Sequence, residues 1–169
     1  MSVIFSIIAF VPLFIVDHFG VGEEAAAVFL AIVYSGGLWA GLLGGYLSDR
    51  LGRVPVVLVA CLISGPVIYL MNLAPYGLAF GAVLVVLGML NAMRMPVAEA
   101  YIVGQTPERR RSTVLGIYYF AGMEGGGILT PIIGSLIDKH GFYPTFSIAS
   151  VAIIVVTLVC SVFLWRSQD

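Results

Sequence analysis

The stretch G-Y-L-S-D-R-L-G-R, residues Gly45–Arg53, decides how this chain is read. It leaves apolar sequence, gathers Asp49, Arg50 and Arg53, and returns to apolar sequence at Val54. Gly45 and Asp49 are four residues apart and share one face of a helix. Gly52 supplies the backbone freedom for a tight turn between two helices. Charges grouped at such a turn suit a short hairpin at a membrane surface, held by charge pairs that break and re-form.

The sequence on either side supports a membrane setting. Of 169 residues, 60% are hydrophobic and 10% charged, with a mean hydropathy of +1.07. That is too little charge to cover a soluble domain. The apolar excess runs along the whole chain, so it is neither a signal peptide nor a single anchor. A spanning helix needs roughly 20 mostly apolar residues. Five such stretches are expected at 24–47, 54–73, 76–103, 112–137 and 142–166. A sixth run, Val3 to Val16, has 14 residues before Asp17. At the helical rise this is about 21 Å, short of a core about 30 Å thick. The first helix is therefore expected to be clipped, as in a piece of a longer protein.

Charge alternates across the turns. Arg50, Arg53, Arg109, Arg110, Arg111 and Arg166 fall on one side and Lys139 on the other. The positive-inside rule then places both termini in the cytoplasm of a multi-pass protein of the cell membrane. A net charge of −1 by itself says nothing about partners, and no nucleic acid is expected as one. Cys61 and Cys160 lie in apolar runs and make neither a disulfide framework nor a metal site. No cofactor is called for.

Two small-residue stripes run along the second helix, Gly37-Gly41-Gly45 and Gly36-Ala40-Gly44-Ser48. The fifth helix has a third, Gly122-Gly126-Thr130-Gly134. This spacing allows close helix packing in lipid. It equally suits faces that rock against neighbours.

The pattern G-x-x-x-D-R-x-G-R at Gly45–Arg53 resembles the signature loop of the major facilitator superfamily, found between the second and third helices of each half. G-S-L-I-D-K-H-G, Gly134–Gly141, echoes its first part with Lys139 for arginine, on the opposite side of the membrane. Pro96–Gly116, P-V-A-E-A-Y-I-V-G-Q-T-P-E-R-R-R-S-T-V-L-G, resembles the end of that family's fourth helix and the following loop. Pro107 and Arg111 fit, Ser112 replaces the usual glycine, and Gly104 stands where sugar porters carry glutamate. F-V-P-L-F-I-V-D-H-F-G, Phe10–Gly20, resembles the seventh helix of many members. The resemblance implies an all-α membrane fold of six transmembrane helices, half of a twelve-helix transporter and by preference its carboxy-terminal half. Residues 1–73 and 76–166 would be two inverted three-helix repeats.

Arg94, Glu99 and Glu124 fall inside predicted spans, where ionisable residues usually face a cavity or a partner. Arg94 and Glu124 differ in depth by about three residues, roughly 4.5 Å, so a pair is geometrically possible. It reads either as a static ion pair or as a site for protonation and substrate. Glu99, nearer the cytoplasm, is expected to pair with a loop arginine as part of a gate with Asp49, Arg50, Arg53 and Arg111. Pro96 and Pro131 suit kinks. Trp39, Tyr118, Tyr119 and Phe120 suit either a substrate path or lipid, and His18 and His140 a solvated surface.

These features favour proton-coupled secondary transport of a small solute over an enzyme. A rhomboid-like protease lacks its motif here, because Ser64-Gly65 has no preceding glycine and neither histidine is deep in a span. The alternative is a non-transporting half or scaffold subunit. Either reading needs the bilayer and a second six-helix half: a missing segment, a partner chain or a second copy.

Overall fold

Gly52 is the single residue between two long helices in the computed structural model, which describes residues 2–166, with side chains over 3–162. The chain folds as α1 (Ser2–Phe19), α2 (Glu23–Leu51), α3 (Arg53–Met71), α4 (Leu78–Gln105), α5 (Arg111–His140) and α6 (Phe142–Arg166), with one 3-10 turn at Glu108–Arg110. Among the described residues, five helices are long and apolar enough to cross a membrane, and α1 is shorter. The five expected spans are all present, each within a few residues of its limits. Arg166 ends α6, but its side chain lies outside the described residues.

Gly52 has φ 91° and ψ 154°, and its N–H donates to the Ser48 carbonyl at 3.0 Å. Gly141 between α5 and α6 has nearly the same geometry, φ 84° and ψ 175°, and donates to Ile137 at 2.7 Å. Side chains rarely tolerate this region of backbone space. The two G-x-x-x-D segments thus end in the same one-residue break. The loop expected around Asp49 and Arg50 is instead the last helical turn of α2.

α1 departs from expectation. Its helix continues through Asp17 and His18 to Phe19, giving 18 residues, about 27 Å. Asp17, the first charge, does not end the helix because its side chain is exposed. His18 stacks on Phe14 with ring centroids 4.9 Å apart, and Gly20, at φ 64°, closes the helix by donating to Val16.

Glycines decide how the helices meet. α2 packs most extensively on α4. Gly36, Ala40, Gly44 and Ser48 are buried there, with Gly36 and Gly44 set against backbone of Val85 and Met93 and Gly88 of α4 set against backbone of Val33. The other α2 stripe is largely uncovered, with nothing within 4 Å of a Cβ placed at Gly41 or Gly45. On α5, Gly126 receives Phe5 and Gly134 receives Phe10, while Thr130 hydrogen-bonds Ser6 at 2.8 Å. That stripe is the seat of α1.

At one end, Phe14 contacts Phe80, Phe142 and Phe146, and Tyr76 contacts Phe19 and Phe29. These rings gather the turns after α1, α3 and α5. The breaks after α2 and α4 lie at the opposite end, which carries Arg50, Arg53 and Arg109–Arg111. α5 is the least buried helix, with Gly126, Ile133 and Ile137 as its buried residues.

Candidate functional site

Arg94 is buried, at 4% exposure, in a helix that is otherwise apolar over most of its length. Asn91, one turn earlier on the same face, accepts from its Nη2 at 3.1 Å. Cys61 of α3 accepts weakly from Nη1 at 3.9 Å. The buried Nε has no partner. All these acceptors are neutral, and among the described residues no ion pair joins Arg94 to a carboxylate.

Beside the guanidinium lies a half-open cavity of about 170 Å³. α4 lines it with Asn91, Arg94 and Met95, α5 with Tyr118, Tyr119, Gly122 and Met123, and α1 with Phe5. Tyr118 and Gly122 are one turn apart, as are Tyr119 and Met123, so two adjacent rows of α5 form its wall. Gly122, the first member of the α5 stripe, opens onto the cavity and does not seat α1.

Glu124 does not share this site. Its side chain is exposed and does not line the cavity. Rotation about the helix axis separates it from the cavity: one residue past Met123 turns the side chain by about 100°. Glu99 also has a different partner from the one expected. Tyr119 hydrogen-bonds it, joining α5 to α4. Trp39 and Phe120 are 70% and 68% exposed and stand apart from the cavity, whereas Tyr118 and Tyr119 line it.

The basic end is organised by backbone carbonyls. Arg53, the first residue of α3, donates from Nη1 to the Ala100 carbonyl of α4 at 2.7 Å. A Cβ at Gly104 would lie 2.6 Å from that nitrogen, so the missing side chain leaves room for the guanidinium. Arg111 donates from Nε to the Thr106 carbonyl at 3.2 Å and lies 3.5 Å from Glu108. Arg50 sits over the Tyr46 ring at 4.7 Å. Asp49 is exposed, and Gly45 accepts from the Ser48 hydroxyl through its carbonyl. The charge pairs expected within the hairpin are not formed among the described residues.

The sequence reading gives no role to Asn91 and places Cys61 only in an apolar run. An asparagine one turn before a buried arginine is a polar pair in a span and was a usable signal. Cys61 had none, since its role depends on how α3 crosses α4. Among the described residues no cluster of His, Cys, Asp or Glu could hold a metal.

Comparison with known proteins agrees with this architecture. Residues 1–169 match the family described as Major Facilitator Superfamily. The multidrug resistance protein MdtG of Yersinia enterocolitica is 32% identical over 165 residues, covering 94% of this chain and 38% of its own length. MdtG of Escherichia fergusonii is 32% identical over 167 residues, covering 91% and 39%. MdtG of Escherichia coli K12 is 33% identical over 168 residues, again covering 91% and 39%. The chain thus spans about two fifths of the length of these relatives. Matched along all its residues, with paired glycine breaks ending its two G-x-x-x-D segments, the chain belongs to the Major Facilitator Superfamily.

Proposed function

We propose that the chain is one six-helix half, by preference the carboxy-terminal one, of a proton-coupled secondary transporter that moves a small solute by alternating access. The observation that carries this reading is Arg94, buried and without a carboxylate, on the wall of a cavity between α1, α4 and α5. An ionisable group at such depth is costly in lipid and marks a transport path by default. The relatives' name, multidrug resistance protein, supports a path for small organic compounds. The reading is of a carrier, not an enzyme.

The two matching glycine breaks support a division into inverted repeats, 1–73 and 76–166. The arginine-bearing end faces the cytoplasm, with both termini. Glu124, exposed in the single half, serves proton coupling once a second half covers α5. Arg53, Arg111, Asp49, Arg50 and Glu99, with Gly45 and Gly52 between them, form the cytoplasmic gate.

The test is flux into proteoliposomes under an imposed pH gradient, with the chain alone and then with a second six-helix half. Proton-driven flux in either case, lost in Glu124→Gln while the protein still inserts, is the expected result. Undiminished pH-driven flux by that variant removes Glu124 from the mechanism. No flux in either preparation favours the scaffold reading.

A further inference from the structure

We infer that the Arg94 cavity is a subsite for an organic anion with a single-ring apolar body, such as an aromatic monocarboxylate. The inference deepens the transporter reading by naming a substrate class, and it rests on that reading. An arginine keeps its charge in a protein interior. Burying a charge is expensive unless it is paired. Here Asn91 and Cys61 offer neutral acceptors, and the Nε is left without any.

The surrounding helices do not supply the missing charge. α3 contains no acidic residue, and the acid of α1, Asp17, lies in its exposed last turn. On α4, Glu99 lies near Tyr118, as Arg94 does, but it hydrogen-bonds Tyr119 and makes no ion pair with Arg94. On α5, Glu124 is exposed and off the cavity wall. Among the described residues the cavity wall therefore carries one positive charge with no ion-pair partner. A carboxylate is the partner whose geometry suits a guanidinium, through charge-assisted hydrogen bonds.

The rest of the lining sets the body of the ligand. Phe5, Met95 and Met123 are apolar, and the two tyrosines contribute ring faces. An apolar cavity of about 150 Å³ accepts a benzene ring. At about 170 Å³ and open on one side, this one has room for a single ring with a small anionic group. Aromatic walls with one fixed cation discriminate by charge first and by shape second.

The experiment uses the purified chain in nanodiscs of zwitterionic phosphatidylcholine and three probes with one body: 4-ethylbenzoate, 4-ethylbenzamide and 4-ethylbenzamidine. Calorimetric titration should rank the benzoate at least tenfold above the neutral amide, with the amidine weakest. In Arg94→Gln the benzoate and the amide should bind alike, and Arg94→Lys should restore part of the preference. Phe5→Ala should weaken all three probes in proportion. Equal binding of benzoate and amide to the unaltered chain, or no benzoate binding, overturns the inference whether or not the variants fold. So does a benzoate preference that survives in Arg94→Gln. Benzoate binding abolished in phosphatidylglycerol nanodiscs would assign the site to a lipid headgroup and would overturn it as well. Charge-selective binding without transport leaves this subsite standing and removes the transporter reading. Transport without charge selectivity does the reverse.

Discussion

Replacing Gly88 by alanine should open the largest helix interface in the molecule, while the same change at Gly41 should do no harm. A methyl at Gly88 would press into the Val33 carbonyl group, with the carbonyl carbon at 2.8 Å and Cα at 3.2 Å. Ordinary contact begins at 3.4 Å. The obstacle is backbone of α2, so no side chain can swing aside. α2 has to retreat as a body, and the neighbouring close approaches at Gly36 and Gly44 loosen with it. Overpacking of this kind costs about 1–3 kcal/mol and sometimes more, and dispersion contacts are lost along the rest of the seam. We expect about 3 kcal/mol, roughly a hundredfold in the folding equilibrium. At Gly41 nothing lies within 4 Å, and alanine improves a helix interior by about 0.5–1 kcal/mol. The two variants should therefore separate by roughly 3–4 kcal/mol in reversible unfolding from mixed micelles. Stabilities within about 0.5 kcal/mol of each other would refute the assignment of the two α2 stripes to different faces.

Two further outcomes follow from the turns. Gly52→Ala and Gly141→Ala should each cost about 1–3 kcal/mol, because φ near 90° with extended ψ is almost closed to other residues; unfolding midpoints equal to the unaltered chain would contradict this. Gly104→Ala should displace the flexible end of Arg53 with little loss of stability, on the order of 1 kcal/mol at so exposed a site. Hydrogen exchange over 101–105 should rise roughly fivefold, and unchanged exchange would show that Arg53 does not hold that helix end.

The spans were legible because lipid imposes a simple rule on composition, and the five longer helices needed no tertiary information. The Gly52 break was legible for a similar reason, since a glycine between two apolar runs has few other uses. What escaped was rotation about helix axes. Counting residues brings Glu124 within reach of Arg94, yet α5 turns Tyr118, Tyr119, Gly122 and Met123 toward the cavity and Glu124 away. The two α2 stripes were indistinguishable by spacing, and only the crossing with α4 separates the buried one from the open one. Glu99 was given an arginine because it lies near arginines, but it is Tyr119 that reaches it, while Arg53 takes a carbonyl. Proximity in sequence ranks partners by charge, and folding ranks them by reach.

The bond between Arg53 and the Ala100 carbonyl has a consequence for how the cytoplasmic end responds to its surroundings. A guanidinium does not give up its proton in proteins, and a peptide carbonyl has none to exchange. A clasp built from these two groups is deaf to acidity, unlike one made with a carboxylate. Protonation elsewhere in the molecule can release it only by mechanical means, drawing the start of α3 away from the end of α4.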